Sequence, residues 1–345
     1  MGDYMEETGD PFTGKKKEEL KKFLEYMGLT YDEQITHSIV LRKEKEIIAT
    51  ASCQKNIIKC VAVSEAYQGQ NLLAHLMTSL IEYFYGMGIS HFFGFTKPQN
   101  KELFCSMGMY PVAQTEKILL LENDKNGLEK FLKRLKKETQ EQQKCKVENR
   151  HENGIGAVVM NCNPFTRGHE YLIRKAAKKN KWLHIFILSE EQSFLTTRER
   201  YQLVKEGIQE IPNVILHQTS EYMISPAVFP TYFIKEKAKA YEMNCQLDIQ
   251  LFGECIAPEL KITDRYVGSE PVCDVTHTYN QCLREQLPCY QIRFHEIPRK
   301  TYGDQIISAS EVRKKYAENQ LKSVCGMLPE STWRYLERKK NENGK

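Results

Sequence analysis

Long apolar runs are missing from this chain. No stretch approaches the roughly 18–20 consecutive apolar residues that a membrane span requires. The opening residues, "MGDYMEETGD", are acidic and polar, so no secretory leader is expected there. Glu6 stands where a myristoylation site would carry Ser or Thr. A strong excess of one charge is also missing: 49 Lys and Arg face 45 Asp and Glu, for a net charge of +4. That balance excludes a broad electrostatic commitment to nucleic acid but leaves room for a local cationic pocket. Cys-x-x-Cys pairs are absent although there are eleven cysteines. An odd, scattered set in a long chain points to reduced thiols and a cytoplasmic address, not to a disulfide framework or a zinc site. No internal repeat is visible.

What is present suffices for two cores: 345 residues, 41% of them apolar. Residues 126–150, "NGLEKFLKRLKKETQEQQKCKVENR", start as a short amphipathic helix through Leu128, Phe131, Leu132 and Leu135, then turn into Lys, Glu and Gln. That pattern predicts a solvated helix and linker. The expected organisation is a first domain over 1–135, a charged linker over 136–153 and a second domain over 154–345.

The first domain reads as α+β. "KKKEELKKFLEYMGL" has a helical pattern, and "SIVLRKEKEIIATASCQKNIIKCVAVS" reads as a meander. The next helix, "HLMTSLIEYFYGMGI", precedes a strand, "HFFGFT". Leu72, Leu76, Leu80 and Phe84 recur at spacing four and belong to a core.

In the second domain, apolar runs alternate with helical patterns. "IGAVVM", "LHIFIL", "NVILH", "LDIQLF" and "CYQIRFHEI" are expected strands. Helices are expected from His169 to about Lys179, from "TTRERYQLVKEGI", over "FIKEKAKAYEM", around "HTYNQCLREQL" and from "SASE". Thr196 with Glu199, and Ser308 with Glu311, have capping-box spacing. Such alternation predicts a doubly wound parallel sheet, whose ligands bind beyond the carboxyl ends of the strands.

"NCNPFTRGH", residues 161–169, is one of those strand-to-helix turns. The amino end of a helix offers unpaired N–H groups and a dipole that favour anions. Gly168 permits close approach, Pro164 restricts the turn, and Thr166 and His169, three apart, can face one point. A hydroxyl and an imidazole aimed at a phosphate could stabilise charge developing there. A plain surface turn fits this stretch equally well. "IISASEVRKK", residues 306–315, is a second candidate cradle, with Ser308, Ala309 and Ser310 at a helix start and Arg313 one turn along. A capped, solvent-facing helix is the alternative there.

"NPFTRGH" resembles the (H/T)xGH motif of the nucleotidyltransferase superfamily, and "ISASEVR" resembles its ISSTxxR-type motif. With "MNCNPFTRGHEYLI", "RYVGSEP" and "VTHTYNQCL", the pattern is similar to that of the citrate lyase ligase family. The resemblance implies an enzyme that uses ATP and acetate to acetylate a thiol. That thiol is on the phosphoribosyl-dephospho-coenzyme A arm of the citrate lyase acyl carrier subunit, and AMP and pyrophosphate are released. It further implies that Thr166, Gly168 and His169 meet the ATP phosphates, with Asn161, Cys162, Asn163, Pro164 and Phe165 lining the turn. Ser308, Ala309, Ser310 and Arg313 become a triphosphate clamp, and Gly268 meets the nucleotide. The catalytic set is then His169, Thr166 and Arg313. Cys162 is expected to offer backbone and not a nucleophilic thiol. Magnesium is expected to arrive bridged to ATP, with no dedicated protein metal site. A small-molecule adenylyltransferase and a non-catalytic nucleotide-binding protein are the competing readings.

"VAVSEAYQGQNLLAHLMTSLIEYFYGMG" resembles the acetyl-coenzyme A loop and helix of GCN5-related N-acetyltransferases. Gln68 fits that loop, but Asn71 and Leu73 replace its glycine and its small residue, crowding the place of a pyrophosphate. The expectation is a domain that recognises the coenzyme A-like arm or its carrier protein, and not an active acetyltransferase. Arg198 and Arg200 are expected either to reach acyl or phosphate oxygens or to lie in solvent. Asp274, Thr276 and His277 are expected at the rim of the nucleotide site.

Overall fold

The computed structural model describes residues 4–189, 194–223, 237–270 and 274–343. Their contacts fall into two units, residues 1–130 with 228–247 and residues 131–227 with 248–345.

The first unit holds a seven-stranded sheet. Its strands are β1 (Met5–Gly9), β2 (His37–Lys43), β3 (Glu46–Gln54), β4 (Ile57–Val63), β5 (Phe93–Thr96), β6 (Tyr110–Gln114) and β7 (Leu119–Glu122), in the order β1-β2-β3-β4-β5-β7-β6. Every pairing is antiparallel except β4 with β5, which run parallel and pair only at Ile57–Phe93 and Ile58–Gly94. Helices α1 (Gly14–Tyr26) and α2 (Leu72–Gly86) bury separate apolar clusters, and α3 (Lys101–Ser106) follows β5. Leu72, Leu76, Leu80 and Phe84 are all buried, as their spacing predicts. Helix α2 begins at Asn71, whose φ of 58° is left-handed. Asn tolerates that conformation better than most side chains. The residue therefore takes the backbone shape a glycine would have taken, at a modest steric cost.

The second unit is built on five parallel strands: β8 (Ile155–Met160), β9 (Trp182–Ile187), β10 (Val214–Gln218), β11 (Asp264–Gly268) and β12 (Arg293–Ile297). Their order is β10-β9-β8-β11-β12. The chain thus leaves β8 toward one side of the sheet and later returns to its other side. The crevice between the ends of β8 and β11 is the topological switch point where open sheets of this type bind ligands.

Helix α4 (Gly127–Gln143) does not dissolve where its apolar residues stop. Its polar side chains are spent on the edge of this sheet. Gln142 donates to the Leu216 carbonyl at 2.8 Å and accepts from the Leu216 N–H at 2.9 Å. Arg134 donates to the Gln218 carbonyl at 3.1 Å, and Lys146 donates to the Val214 carbonyl. Strand β10 is an edge, and an edge strand otherwise exposes unpaired backbone groups. A run that reads as solvated in sequence is here the cover of that edge.

Helices α5 (Arg167–Lys178) and α6 (Thr197–Gly207) bury Leu172, Ile173, Ala176, Leu203 and Val204 in one core against the sheet. Next in the chain come α7 (Lys237–Leu251), of which residues 248–251 belong to this unit, a π-helical turn at Phe252–Ile256, α8 (Ala257–Leu260) and α9 (Asp274–Gln286). Phe252 covers the other face, its ring 6.4 Å from that of Phe186. "LDIQLF" is therefore helical and not a strand. Leu247, Asp248, Ile249, Leu251 and Phe252 are all buried, and of this run only Gln250 is partly exposed, so six residues show too little of the polar stripe (Glu242, Gln246, Gln250) to reveal its period. The alternation Leu247, Ile249, Leu251 imitates a strand. A short hairpin, β13 (Thr301–Tyr302) with β14 (Gln305–Ile306), precedes α10 (Ala309–Ala317), and α11 (Glu330–Asn343) ends the unit.

Candidate functional site

The turn after β8 is held by buried groups. Cys162 has a left-handed φ of 53°, and the Asn163–Pro164 peptide bond is cis. The Cys162 thiol is buried, and burial pushes its pKa up, so it stays protonated and is no nucleophile. Phe165 is fully buried beneath the turn; a Cβ on Gly207 would lie 2.3 Å from its ring.

Arg200 ties this turn down, and here the sequence-based expectation fails. The side chain is fully buried and points neither to solvent nor outward. It donates to the Asn161 carbonyl at 2.7 Å, the Asn161 side-chain oxygen at 2.6 Å and the Leu188 carbonyl at 2.9 Å. Further bonds go to the Leu195 carbonyl and the Thr197 hydroxyl. One guanidinium so fastens the ends of β8 and β9 to the start of α6, using its rigid fork of donors. Arg198 is exposed.

Thr166 is the N-cap of α5 and forms a capping box with His169. The Thr166 N–H donates to His169 Nδ1 at 3.1 Å, and the Thr166 hydroxyl accepts from the His169 N–H at 3.4 Å. An Nδ1 that accepts carries no proton, so the neutral ring bears its proton on Nε2. Burial, and after it the positive charge of Arg299, push the His169 pKa down to about 4. The residue as a whole is half-buried. The result is a neutral imidazole with a fixed N–H donor at the amino end of a helix.

The second cradle lies against the first. Gly168 faces the Ile307 carbonyl, which would be 3.4 Å from a Cβ at that position. Arg313 donates to the Asn163 carbonyl at 2.5 Å, across 150 residues of sequence. Asn163 in turn accepts from the Leu195 N–H at 3.1 Å. Ser308 caps α10, but its hydroxyl accepts from the Ser310 N–H at 3.2 Å, and the expected reciprocal box with Glu311 does not form. The Ser308 and Ser310 hydroxyl oxygens are 2.6 Å apart, with Ala309 between them. Asn161, Asn163, Pro164, Thr166, Gly168, His169, Ser308 and Arg313 thus belong to one neighbourhood.

Gly268 ends β11, the strand beside β8, and its carbonyl accepts from Asn280 at 3.0 Å. Among the described residues nothing lies within 4 Å of a Cβ built there. His277 is exposed on α9, and no described contact brings Thr276 or His277 to His169. The Asp274 side chain lies outside the described residues.

One group, Arg299, escaped the sequence reading, and another, Glu199, does more than its cap spacing implied. Arg299 follows β12 and donates from Nε to the Ser269 carbonyl at 2.7 Å and from Nη2 to Glu270. Its position just beyond a strand end is the same signal that marked the other site residues. Glu199 completes the Thr196 cap of α6 and also takes Lys339, at 2.6 Å, and the Tyr335 hydroxyl from α11. Burial pulls the Glu199 pKa up, but bonds from Lys339, Tyr335 and Thr196 outweigh it and hold it at about 2.

These shifts give the second unit an acid-side weakness. Burial also pushes His184 and His217 down; His184 bonds His217 at 2.9 Å, and His217 bonds Glu138 at 2.9 Å. A buried histidine takes up its proton later than the unfolded chain does as pH falls. For His169 the unfolded state binds more protons between pH 6.5 and about 4. The stabilisation is complete above pH 6.5 and is lost as pH falls through that window. The expected slope approaches about 1.4 kcal/mol per pH unit for each such histidine. Glu199 stays charged there, its contribution being lost only below pH 4.5, toward about 2. Both tryptophans of the chain, Trp182 and Trp333, lie in this unit, so its unfolding can be followed by their fluorescence across the window.

Among the described residues no cluster of three or more His, Cys, Asp or Glu could hold a metal ion, and ten cysteines are free. No described helix is long and apolar enough to cross a membrane.

Residues 155–336 match the family described as citrate lyase ligase C-terminal domain, and residues 3–105 match the acetyltransferase (GNAT) family. The citrate (pro-3S)-lyase ligase of Escherichia coli strain K12 is 37% identical over 330 residues, 94% of this chain and 91% of that protein. The Klebsiella pneumoniae enzyme of the same name is 34% identical, covering 93% and 92%. A phosphopantetheine adenylyltransferase of Streptococcus gordonii is 24% identical over 160 residues, 43% of this chain and 96% of that one. With an acetyltransferase-like first part, a nucleotidyltransferase-like second part and relatives of this similarity along nearly its whole length, the chain belongs to the citrate lyase ligase family and is a ligase.

Proposed function

We propose that the second domain, over 154–345, joins acetate to AMP and that the acetyl group then passes to a carrier thiol. An acetate oxygen attacks the ATP α-phosphorus, forming the acyl–phosphate bond as the bond to pyrophosphate breaks. The thiol sulfur next attacks the acetyl carbon, AMP departs, and the thiol proton goes to solvent. The carrier is the citrate lyase acyl carrier subunit with its phosphoribosyl-dephospho-coenzyme A arm, named here from the family's activity. The reaction belongs to the reducing cytoplasm.

One observation carries this reading: a neutral His169 whose Nε2–H is fixed by the Thr166 cap, at the amino end of a helix on the switch-point side of a parallel sheet. Such a donor stabilises charge building on the α-phosphate without itself giving up a proton. Thr166 orients it. Arg313, Ser308 and Ser310 supply a cation and hydroxyls for the leaving phosphates, with Ala309 keeping the space between the serines small. Gly168 and the backbone of 161–165 shape the near wall, and Gly268 borders the nucleotide. The donor set suits a triphosphate, and magnesium would arrive bridged to ATP. Bound there, the ion would neutralise phosphate charge. Residues 1–135 hold the coenzyme A-like arm or its carrier, and 136–153 connect the two parts.

The test is pyrophosphate release from ATP with acetate and other short acids, with and without a thiol carrier. Acetate-dependent release that proceeds to acyl transfer supports the reading; ATP turnover insensitive to any acid overturns it. Arg313→Ala is expected to weaken ATP binding about tenfold or more and slow pyrophosphate release, since a charge-assisted phosphate contact is lost. Unchanged ATP affinity and turnover would reduce the second cradle to a capped helix.

A further inference from the structure

Arg299 has a role that neither sequence motif assigns. Its backbone is fixed on both sides: the Arg299 N–H donates to the Ser269 hydroxyl at 3.1 Å, and the next carbonyl, of Lys300, accepts from the Ile307 N–H at 3.1 Å. Ile307 is the residue packed on Gly168. Lys300 leans toward α5, its ammonium 5.8 Å from the centre of the Tyr171 ring. These ties set Arg299 beside the turn that carries His169. Its Nε and Nη2 are occupied by Ser269 and Glu270, the side chain is 29% exposed, and Nη1 has no partner among the described residues. A guanidinium anchored along one edge and free at the other is oriented before any ligand arrives, so little rotamer freedom is lost on binding. The depressed pKa of His169 agrees with this placement, because Arg299 is the charge that adds to the effect of burial.

We propose that Arg299 binds an anionic oxygen of the substrate reacting beside His169, either a triphosphate oxygen or the carboxylate of the acid, while Ser269 and Glu270 hold its guanidinium in place. The proposal rests on the adenylation reading for its acid arm alone. Arg299→Met in the full chain is expected to raise the dissociation constant of ATP, or the KM for acetate, at least tenfold, a loss typical of a charge-assisted hydrogen bond. Weaker ATP binding without acetate identifies the phosphate; unchanged ATP binding with a raised acetate KM identifies the carboxylate. Arg299→Lys keeps the charge without the fork and should recover part of the loss. The His169 titration, followed by NMR in the unliganded protein, should move up in Arg299→Met and stay low in Arg299→Lys. A purely structural role would lower stability and leave these readouts unmoved. Should the wild-type chain release no pyrophosphate with any acid, ATP affinity and the His169 titration still test Arg299. ATP affinity and acetate KM both within about twofold of wild type, in a folded variant, overturn the proposal.

Discussion

His169→Ala is expected to lower acetate-dependent pyrophosphate release at least a hundredfold. A donor aimed at charge that develops in the transition state typically contributes about 10²–10³ in rate. Here the donor is Nε2–H, because Nδ1 is engaged by the Thr166 N–H. Stability should fall far less, by about 1 kcal/mol, since the alanine forfeits half of a capping box. His169→Gln sharpens the test. Glutamine is a usual partner at this capping position, accepting from the N-cap N–H while its amide nitrogen offers a donor. It should restore the cap and recover part of the rate if the imidazole acts as a neutral donor. A proton-transfer role would give no recovery. Because the His169 pKa lies near 4, the rate should show no inflection near the usual histidine value. Near-normal turnover by folded His169→Ala would remove this residue from the mechanism.

Arg200→Leu is expected to destabilise the second unit by about 3–5 kcal/mol, the range for breaking a buried charged network. The variant would leave the carbonyls of Asn161, Leu188 and Leu195 without this donor, and each stranded buried acceptor costs about 1–3 kcal/mol. Urea unfolding followed by Trp182 and Trp333 reports on this unit and avoids treating the whole chain as one transition. Arg200→Lys should recover only part, because three donors on one nitrogen cannot replace the bonds that the guanidinium fork makes to Asn161, Leu188, Leu195 and Thr197. Turnover should fall in both variants even where they remain folded, since the latch positions Asn161 and the turn leading to His169. An unfolding free energy within about 0.5 kcal/mol of wild type would mean that the latch is redundant.

The two cradles were visible in the sequence because their signals are local. A helix start announces itself within four residues, as Thr166 with His169 and Thr196 with Glu199 do, and a half-buried helix by its spacing, as Leu72 to Phe84 do. The strands Ile155–Met160 and Trp182–Ile187 were likewise legible as short apolar runs between turn signals. Local signals end where burial is complete or where the partner is distant. "LDIQLF" misled because every residue of it but Gln250 is buried, and six residues are too few to show a helical period. The polar residues after Leu135 read as solvated because the edge of β10, which they cover, lies some 75 residues away in the chain. Arg200 read as a reaching or solvated side chain because its acceptors are mostly backbone carbonyls, which every sequence has and none advertises. The contact of Arg313 with Asn163, the anchoring of Arg299 by Glu270 and the low pKa of His169 depend on distance and burial. The sequence by itself determined which residues could form an anion site. Only the tertiary structure decided that the two turns lie against each other, because hydrogen bonds and electrostatic coupling act through space and not along the chain.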